Sequence, residues 1–329
     1  MASEVRRFPD GGTYEGAMEE GVMHGEGTIT FADLSTLKGT FVKGKLHGRV
    51  VIRRANGSVI EVEYKNGERT GNAKYETSSG SKWEGPLSDN GQWKGHYSST
   101  TTGDKYEGTM VGGTFDGEGL CVYADGRSYQ GGWKDGLKHG HGLYKLADGS
   151  FYEGSFREGV RHGRGVHESR DGSRYEGDFR EGKKSGKGRY VYADKSQYEG
   201  DFVNDNFHGK GRYVFADGET YEGDFRDDVF CGYGVYHFAE GDVYEGDYLG
   251  DIMDGRGKYS FVDGRTYVGE FRSGRFDGKG VYSYPDGSFY DGHFVQDKRH
   301  GEGIFTDAQG RRFQEEWCKG DRLRQVQLS

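Results

Sequence analysis

Proline and cysteine are scarce, with three of each in 329 residues. Cys121, Cys231 and Cys318 lie far apart and leave one thiol over in any pairing scheme, so no disulfide framework is expected and a reducing, intracellular setting is. Long apolar runs are missing too. No stretch approaches the roughly 18 apolar residues of a spanning helix. The opening MASEVRRFPD has neither the apolar core of a secretory leader nor the glycine after Met1 that myristoylation needs, so neither is expected. Surplus positive charge is lacking as well: 45 Lys and Arg face 54 Asp and Glu, a net −9, which gives no encouragement to nucleic-acid binding.

A chain poor in aliphatic residues and rich in charge ordinarily stays disordered. This one carries 61 glycines, 24 tyrosines, 20 phenylalanines and 4 tryptophans. Each ring buries about 150–250 Å², enough to offset much of the ordering entropy.

The rings recur at a fixed period. Tyr-Glu-Gly begins at Tyr14, Tyr106, Tyr152, Tyr175, Tyr198, Tyr221 and Tyr244, with close variants at Trp83, Tyr129, Tyr267 and Tyr290 and weaker ones at Leu37, Ile60 and Phe313. Successive members are 23 residues apart, giving fourteen registers without insertion or deletion. The repeat therefore is the fold.

Within a unit the spacing has period two, the signature of strands. Four residues after the leading ring stands a second one, such as Phe156, Phe179, Phe202 or Phe225. Glycines follow at eleven and thirteen positions (Gly186 and Gly188, Gly209 and Gly211), and aromatics at fifteen and seventeen (Tyr190 and Tyr192, Tyr213 and Phe215). Asp-Gly turns such as Asp171-Gly172 and Asp217-Gly218 precede the next unit and predict hairpins. In YEGDF the rings and glycine share one face. In GKGRYVY the glycines and aromatics share it too, with Lys and Arg opposite. Rings lying over the glycines of neighbouring strands would explain both glycine positions, since glycine in a strand is favoured where another group approaches the backbone. On the outer face Lys187, Lys210, Arg256 and Lys279 are expected to pair across strands with a ladder of Glu153, Glu176, Glu199, Glu222 and Glu245.

The segment YEGDFREGKKSGKGRYVYAD resembles the MORN repeat, named for membrane occupation and recognition nexus, and the likeness runs over nearly the whole chain. It implies an all-β fold: an elongated single-sheet ribbon of consecutive antiparallel β-hairpins with an open groove along one face. At about 4.8 Å per strand the ribbon would reach on the order of 130 Å. The expected organisation is an N-terminal lead over 1–9, a repeat array over 10–320 and a C-terminal tail over 321–329. Residues 34–105, where Leu37, Ile60 and Trp83 head the units and Val62 replaces the motif glycine, are expected to be degenerate.

A search for reactive chemistry ends without a site. Six histidines (His24, His47, His139, His162, His208, His300) share one register, but units about 10 Å apart cannot converge on one ion. No glycine run ends in Gly-Lys-Ser/Thr before a helix, and no G-x-S-x-G elbow occurs. The outward carboxylates meet nothing that would raise their pKa. No catalytic residue, metal or cofactor is expected, nor an enzyme domain beside the repeats.

The expected function is a non-enzymatic scaffold that binds partner proteins along the ribbon, each as a helix or extended segment in the groove. Its lining is assigned to Tyr152, Phe156, Tyr175, Phe179, Tyr198, Phe202, Tyr221, Phe225, Tyr244 and Tyr248. Resemblance to MORN-only proteins implies the cytoskeleton, with the axoneme of a cilium or flagellum, of radial-spoke type, favoured. Exposed edge strands at the ends leave homodimerisation through a terminus open. The alternative is a membrane or phosphoinositide-binding module linking cytoskeleton to membrane, through Lys183, Lys184, Lys187 and Arg189. The net charge disfavours it.

Overall fold

The computed structural model describes residues 3–86, 92–111 and 113–328. Among these the chain forms strands and turns with no helix, and it divides into two units, Met1–Val160 and Arg161–Ser329. In the first, strands from Ser3–Arg7 to Phe151–Arg157 follow one another, each hydrogen-bonded antiparallel to the next. The second repeats the pattern up to Asp321–Gln327. Each unit is an open antiparallel sheet.

The second unit is the more regular. Seven-residue strands led by the Tyr-Glu-Gly motif (Arg174–Arg180, Gln197–Val203, Thr220–Arg226) alternate with nine-residue ones (Lys183–Val191, Asn206–Val214, Val229–His237). Tight two-residue turns join a short strand to the long one after it. At Glu181-Gly182 both residues have positive φ, +52° and +82°, so the turn has the twist a right-handed hairpin needs. Longer Asp-Gly turns join long to short: Gly172 has φ +85°, the Ser169 amide donates to the Ser173 carbonyl at 2.8 Å, and the Ser173 amide donates to Asp171 at 2.9 Å.

The core consists of rings on bare backbone. Tyr175, Tyr198, Tyr221 and Tyr244 are wholly inaccessible. A Cβ built on Gly188 would lie 2.5 Å from the Tyr175 Cε2 and Oη atoms, and one on Gly177 would lie 2.6 Å from the Gly188 Cα. Both facing glycines are therefore required by the ring above them. The first glycine of each Gly-x-Gly has a different cause. Gly186 and Gly209 sit at φ +63° and +59°, where the register shifts by a bulge between Gly177 and Asp178 and between Gly200 and Asp201. The sequence reading placed both glycines beneath rings; only the second lies there. The bulge also accounts for tyrosine over phenylalanine. The Tyr175, Tyr198 and Tyr221 hydroxyls each donate to the carbonyl three residues on, at 2.8–3.0 Å, which a phenyl ring could not do.

The outer-face pairing differs from expectation. Opposite Gly188 the register sets Gly200, so Lys187 falls across from Asp201 and Arg189 across from Glu199. Lys187 and Lys210 accordingly pair with Asp201 and Asp224, each at 2.8 Å, and not with the glutamates. Exposed pairs of this kind contribute about 0–1 kcal/mol and mainly fix register.

In the first unit, residues 36–76 keep the same alternation of seven- and nine-residue strands despite the altered motif. Here Leu37, Val50, Ile60, Val62 and Ala73 form a buried aliphatic cluster with Tyr14 and Phe41. Val50 faces Val62 across the ladder where other units have two facing glycines. The exchange is coupled: without a large ring above, the space beneath is filled by valine.

Candidate functional site

On the ring-bearing face of the second unit, the aromatics at positions fifteen and seventeen form a continuous ladder. Within a repeat the two rings lie 4.5–4.7 Å apart (Tyr190–Tyr192, Tyr213–Phe215, Tyr236–Phe238, Tyr259–Phe261). From one repeat to the next they lie 5.6–6.2 Å apart (Tyr192–Tyr213, Phe215–Tyr236, Phe238–Tyr259, Phe261–Tyr282). All are half-buried, each presenting part of its ring to solvent. The period-two strand end puts both members of a pair on one face, and the 23-residue period lines the pairs up.

Side chains nine positions after the leading tyrosine form the deeper layer. Phe207, Phe230 and Phe276 stack on Tyr198, Tyr221 and Tyr267 at 3.8–3.9 Å. In other repeats a cation takes this place, as Lys184 and Arg299 do. The Lys184 amine lies 4.2 Å over the Tyr190 ring and 5.5 Å over Tyr175, and burial lowers its pKa. Together these layers bound an open groove of about 850 Å³, whose lining includes Lys184, Tyr192, Phe207, Phe215, Phe230, Phe238 and Met253.

One wall of the groove is acidic. Asp205, Asp228 and Asp251 occupy the second position of the tight turns at φ +78°, +69° and +64°. Each carboxylate accepts the backbone amide of a residue 21 positions earlier: Lys184 at 2.9 Å, Phe207 at 2.7 Å and Phe230 at 2.7 Å. This bond holds consecutive repeats together and offsets the cost of a left-handed aspartate. Several ring hydroxyls are tethered on the opposite side: Tyr259 donates to Asp242 at 2.8 Å, Tyr236 to Glu219, and Tyr213 to the Ser196 hydroxyl at 3.3 Å.

The ten residues assigned to the groove lining are placed otherwise. Tyr152, Phe156, Tyr175, Phe179, Tyr198, Phe202, Tyr221, Phe225, Tyr244 and Tyr248 are all buried, at 6% exposure or less. They are the packed floor, with rings such as Tyr198 and Tyr221 covered by stacked side chains, and only Phe225 and Tyr248 of the ten border the groove. The accessible rings are those fifteen and seventeen residues after each leading tyrosine, whose pairing the spacing displayed without revealing which layer lay uppermost. The stacking position nine was missed altogether, because it holds Phe, Lys, Met or Arg by turns and shows no single residue type. The turn aspartates left a signal, Asn-Asp and Asp-Asp where other units have Glu-Gly, that was readable as turn chemistry.

The four cations assigned to lipid do not share a surface. Lys184 points into the ring face, whereas Lys187 and Arg189 lie on the other, and Lys187 is already paired with Asp201. Arg189 donates to the Gln197 side chain at 2.6 Å. Lys183 stands exposed beside the turn. No group of three or more His, Cys, Asp or Glu able to hold a metal ion occurs among the described residues, nor a helix long and apolar enough to cross a membrane.

Among solved structures, similar chains include the SAS-4 (dCPAP) TCP domain in complex with a proline-rich motif of Ana2 (dSTIL) of Drosophila melanogaster, 14% identical, covering 47% of this chain and 85% of that one with a TM-score of 0.32. The TCP10 domain of Danio rerio CPAP is 13% identical and covers 67% and 94%, with a TM-score of 0.26. A virginiamycin B lyase from Staphylococcus aureus is 12% identical and covers 89% and 88%, with a TM-score of 0.14. At such scores these likenesses carry no argument about function. No curated protein matches the chain. The family model described as MORN repeat matches residues 14–36, 38–59, 63–82, 106–126, 129–151, 152–174, 175–197, 198–220, 221–243, 244–264, 267–289 and 290–310, leaving out the units headed by Trp83 and Phe313. All the matches but that over 63–82 begin at or beside the leading residue of a unit, together they span most of the sequence, and the chain therefore belongs to the MORN-repeat family of repeat scaffolds.

Proposed function

We propose that this protein is a structural scaffold that holds partner proteins along the aromatic groove of its second unit, in the cytoskeleton of a cilium or flagellum and in the manner of radial-spoke components. The observation that carries the binding role is the ladder of half-buried rings from Tyr190 to Tyr282, an apolar strip left accessible on an otherwise charged chain. Apolar surface of this kind marks an interaction site. The cytoskeletal setting is supported by the resemblance to MORN-only proteins.

Detergent extraction followed by imaging of a tagged copy tests the reading. Retention with the axoneme or another insoluble cytoskeletal fraction is expected. Complete release into the detergent-soluble fraction with diffuse signal would contradict it.

A further inference from the structure

The groove repeats at the pitch of one extended backbone conformation. Two strands at about 4.8 Å bring equivalent ring pairs around again every ~9.6 Å. A polyproline II segment rises about 3.1 Å per residue with three residues per turn, so it presents the same side chain every ~9.3 Å. Neither alternative keeps step as well. Two turns of α-helix rise about 10.8 Å. Three residues of extended strand cover about 10 Å, but the odd number turns every second contact away from the rings.

The wall supplies the second observation. Asp205, Asp228 and Asp251 are exposed, recur once per repeat and line the same groove. Among the described residues none of the three forms an ion pair, whereas Asp201 and Asp224 on the other face are paired with Lys187 and Lys210. One row of carboxylates beside one row of rings matches a ligand with a cation and an apolar ring in each turn.

We propose that the groove takes a basic, proline-containing segment of a partner protein in the polyproline II conformation, one three-residue turn per repeat. Proline packs on the ring pairs such as Tyr213–Phe215 and Tyr236–Phe238, Arg or Lys faces Asp205, Asp228 and Asp251, and the third residue of each turn faces solvent. Aromatic-lined grooves suit this preformed, low-entropy ligand. The inference rests on the proposed scaffold function and specifies its ligand.

Fluorescence polarisation with the full chain and three labelled probes of equal length tests it: (Pro-Pro-Arg)5, (Pro-Pro-Glu)5 and a helix-forming Ala/Leu/Arg peptide of the same charge as the first. The (Pro-Pro-Arg)5 probe is expected to bind with a micromolar Kd that weakens as salt rises, and the other two at least tenfold more weakly. The triple variant Asp205→Asn, Asp228→Asn, Asp251→Asn keeps the amide-accepting oxygen and tolerates the left-handed backbone. It should melt like the parent and bind (Pro-Pro-Arg)5 at least tenfold more weakly. Equal binding by the glutamate probe, tighter binding by the helical probe, no effect of the triple variant, or no binding of (Pro-Pro-Arg)5 would each overturn the proposal. A cytoskeletal partner whose segment cross-linked to the groove is helical or acidic would overturn it while leaving the scaffold reading intact. Release from the cytoskeleton would instead count against that reading itself.

Discussion

An alanine at Gly234 would carry its Cβ 2.5 Å from the Cε2 and Oη atoms of Tyr221 and 2.6 Å from its Cζ, about 1 Å inside ordinary contact. The ring cannot retreat, because Phe230 stacks on it at 3.8 Å and Phe225 and Tyr248 meet it edge-on at 5.1 and 5.2 Å. Overpacking of this sort costs about 1–3 kcal/mol, and displacing the Tyr221 hydroxyl from the Asp224 carbonyl, 3.0 Å away, adds about 1 kcal/mol. Gly234→Ala should therefore destabilise this segment by about 2–4 kcal/mol, read as the local opening free energy in hydrogen exchange, since repeat arrays open segment by segment. Tyr221→Ala alone should cost about 3–5 kcal/mol, as loss of a buried aromatic does. In that background Gly234→Ala should become neutral or mildly stabilising, alanine exceeding glycine in a strand by about 0.5–1 kcal/mol. Gly232 is the internal control. Its φ of +57° makes Gly232→Ala cost about 1–2 kcal/mol whether Tyr221 is present or not. A cost for Gly234→Ala that survives removal of the Tyr221 ring would refute the reasoning.

Asp228→Ala loses the 2.7 Å bond to the Phe207 amide and leaves an alanine at φ +69°, so it should cost about 1–3 kcal/mol and raise exchange at Phe207, while Asp228→Asn restores most of the protection. Glu315 is 1% exposed and accepts from Arg322, Trp317 and Gln325 at 3.0 Å each, so Glu315→Gln should fray the last strands by about 3 kcal/mol, measured by exchange over Arg312–Gln327. Burial raises the pKa of leading tyrosines such as Tyr175, Tyr198 and Tyr221, and that of Tyr129 to about 12, with the neighbouring Glu118 adding to it. A raised folded pKa means stability is fully present below the unfolded value near 10 and falls as pH rises past it toward 12. Absorbance at 295 nm should accordingly show these phenols ionising only as the circular dichroism of the sheet is lost; ionisation near pH 10 with the sheet intact would contradict this.

Much of the fold was legible because its period is unbroken. The 23-residue step, the two faces of YEGDF, and rings over glycine all follow from residue type and alternation. What spacing could not supply was the inter-strand register. The pairing of Gly188 with Gly200 sets Lys187 across from Asp201 instead of a glutamate, and a bulge beside Gly186 gives Gly186 and Gly188 separate causes. The candidate groove suffered from the same gap. Tyr198 and Tyr213 are both inward-facing rings in the sequence, yet one is fully covered by the stack and the other half-open. The leading ring is covered by the side chain nine positions on, Phe207 here and Lys184 one unit earlier, and that position carries no constant residue type.

The most direct test of the scaffold account places a photo-reactive benzoylphenylalanine at Phe215, on the groove, or at Arg212, on the opposite face, in cells that assemble the cytoskeletal fraction. The account predicts covalent adducts to a defined partner from position 215 and none from position 212. Adducts from position 212 alone, or from neither position while the protein remains in that fraction, would contradict it.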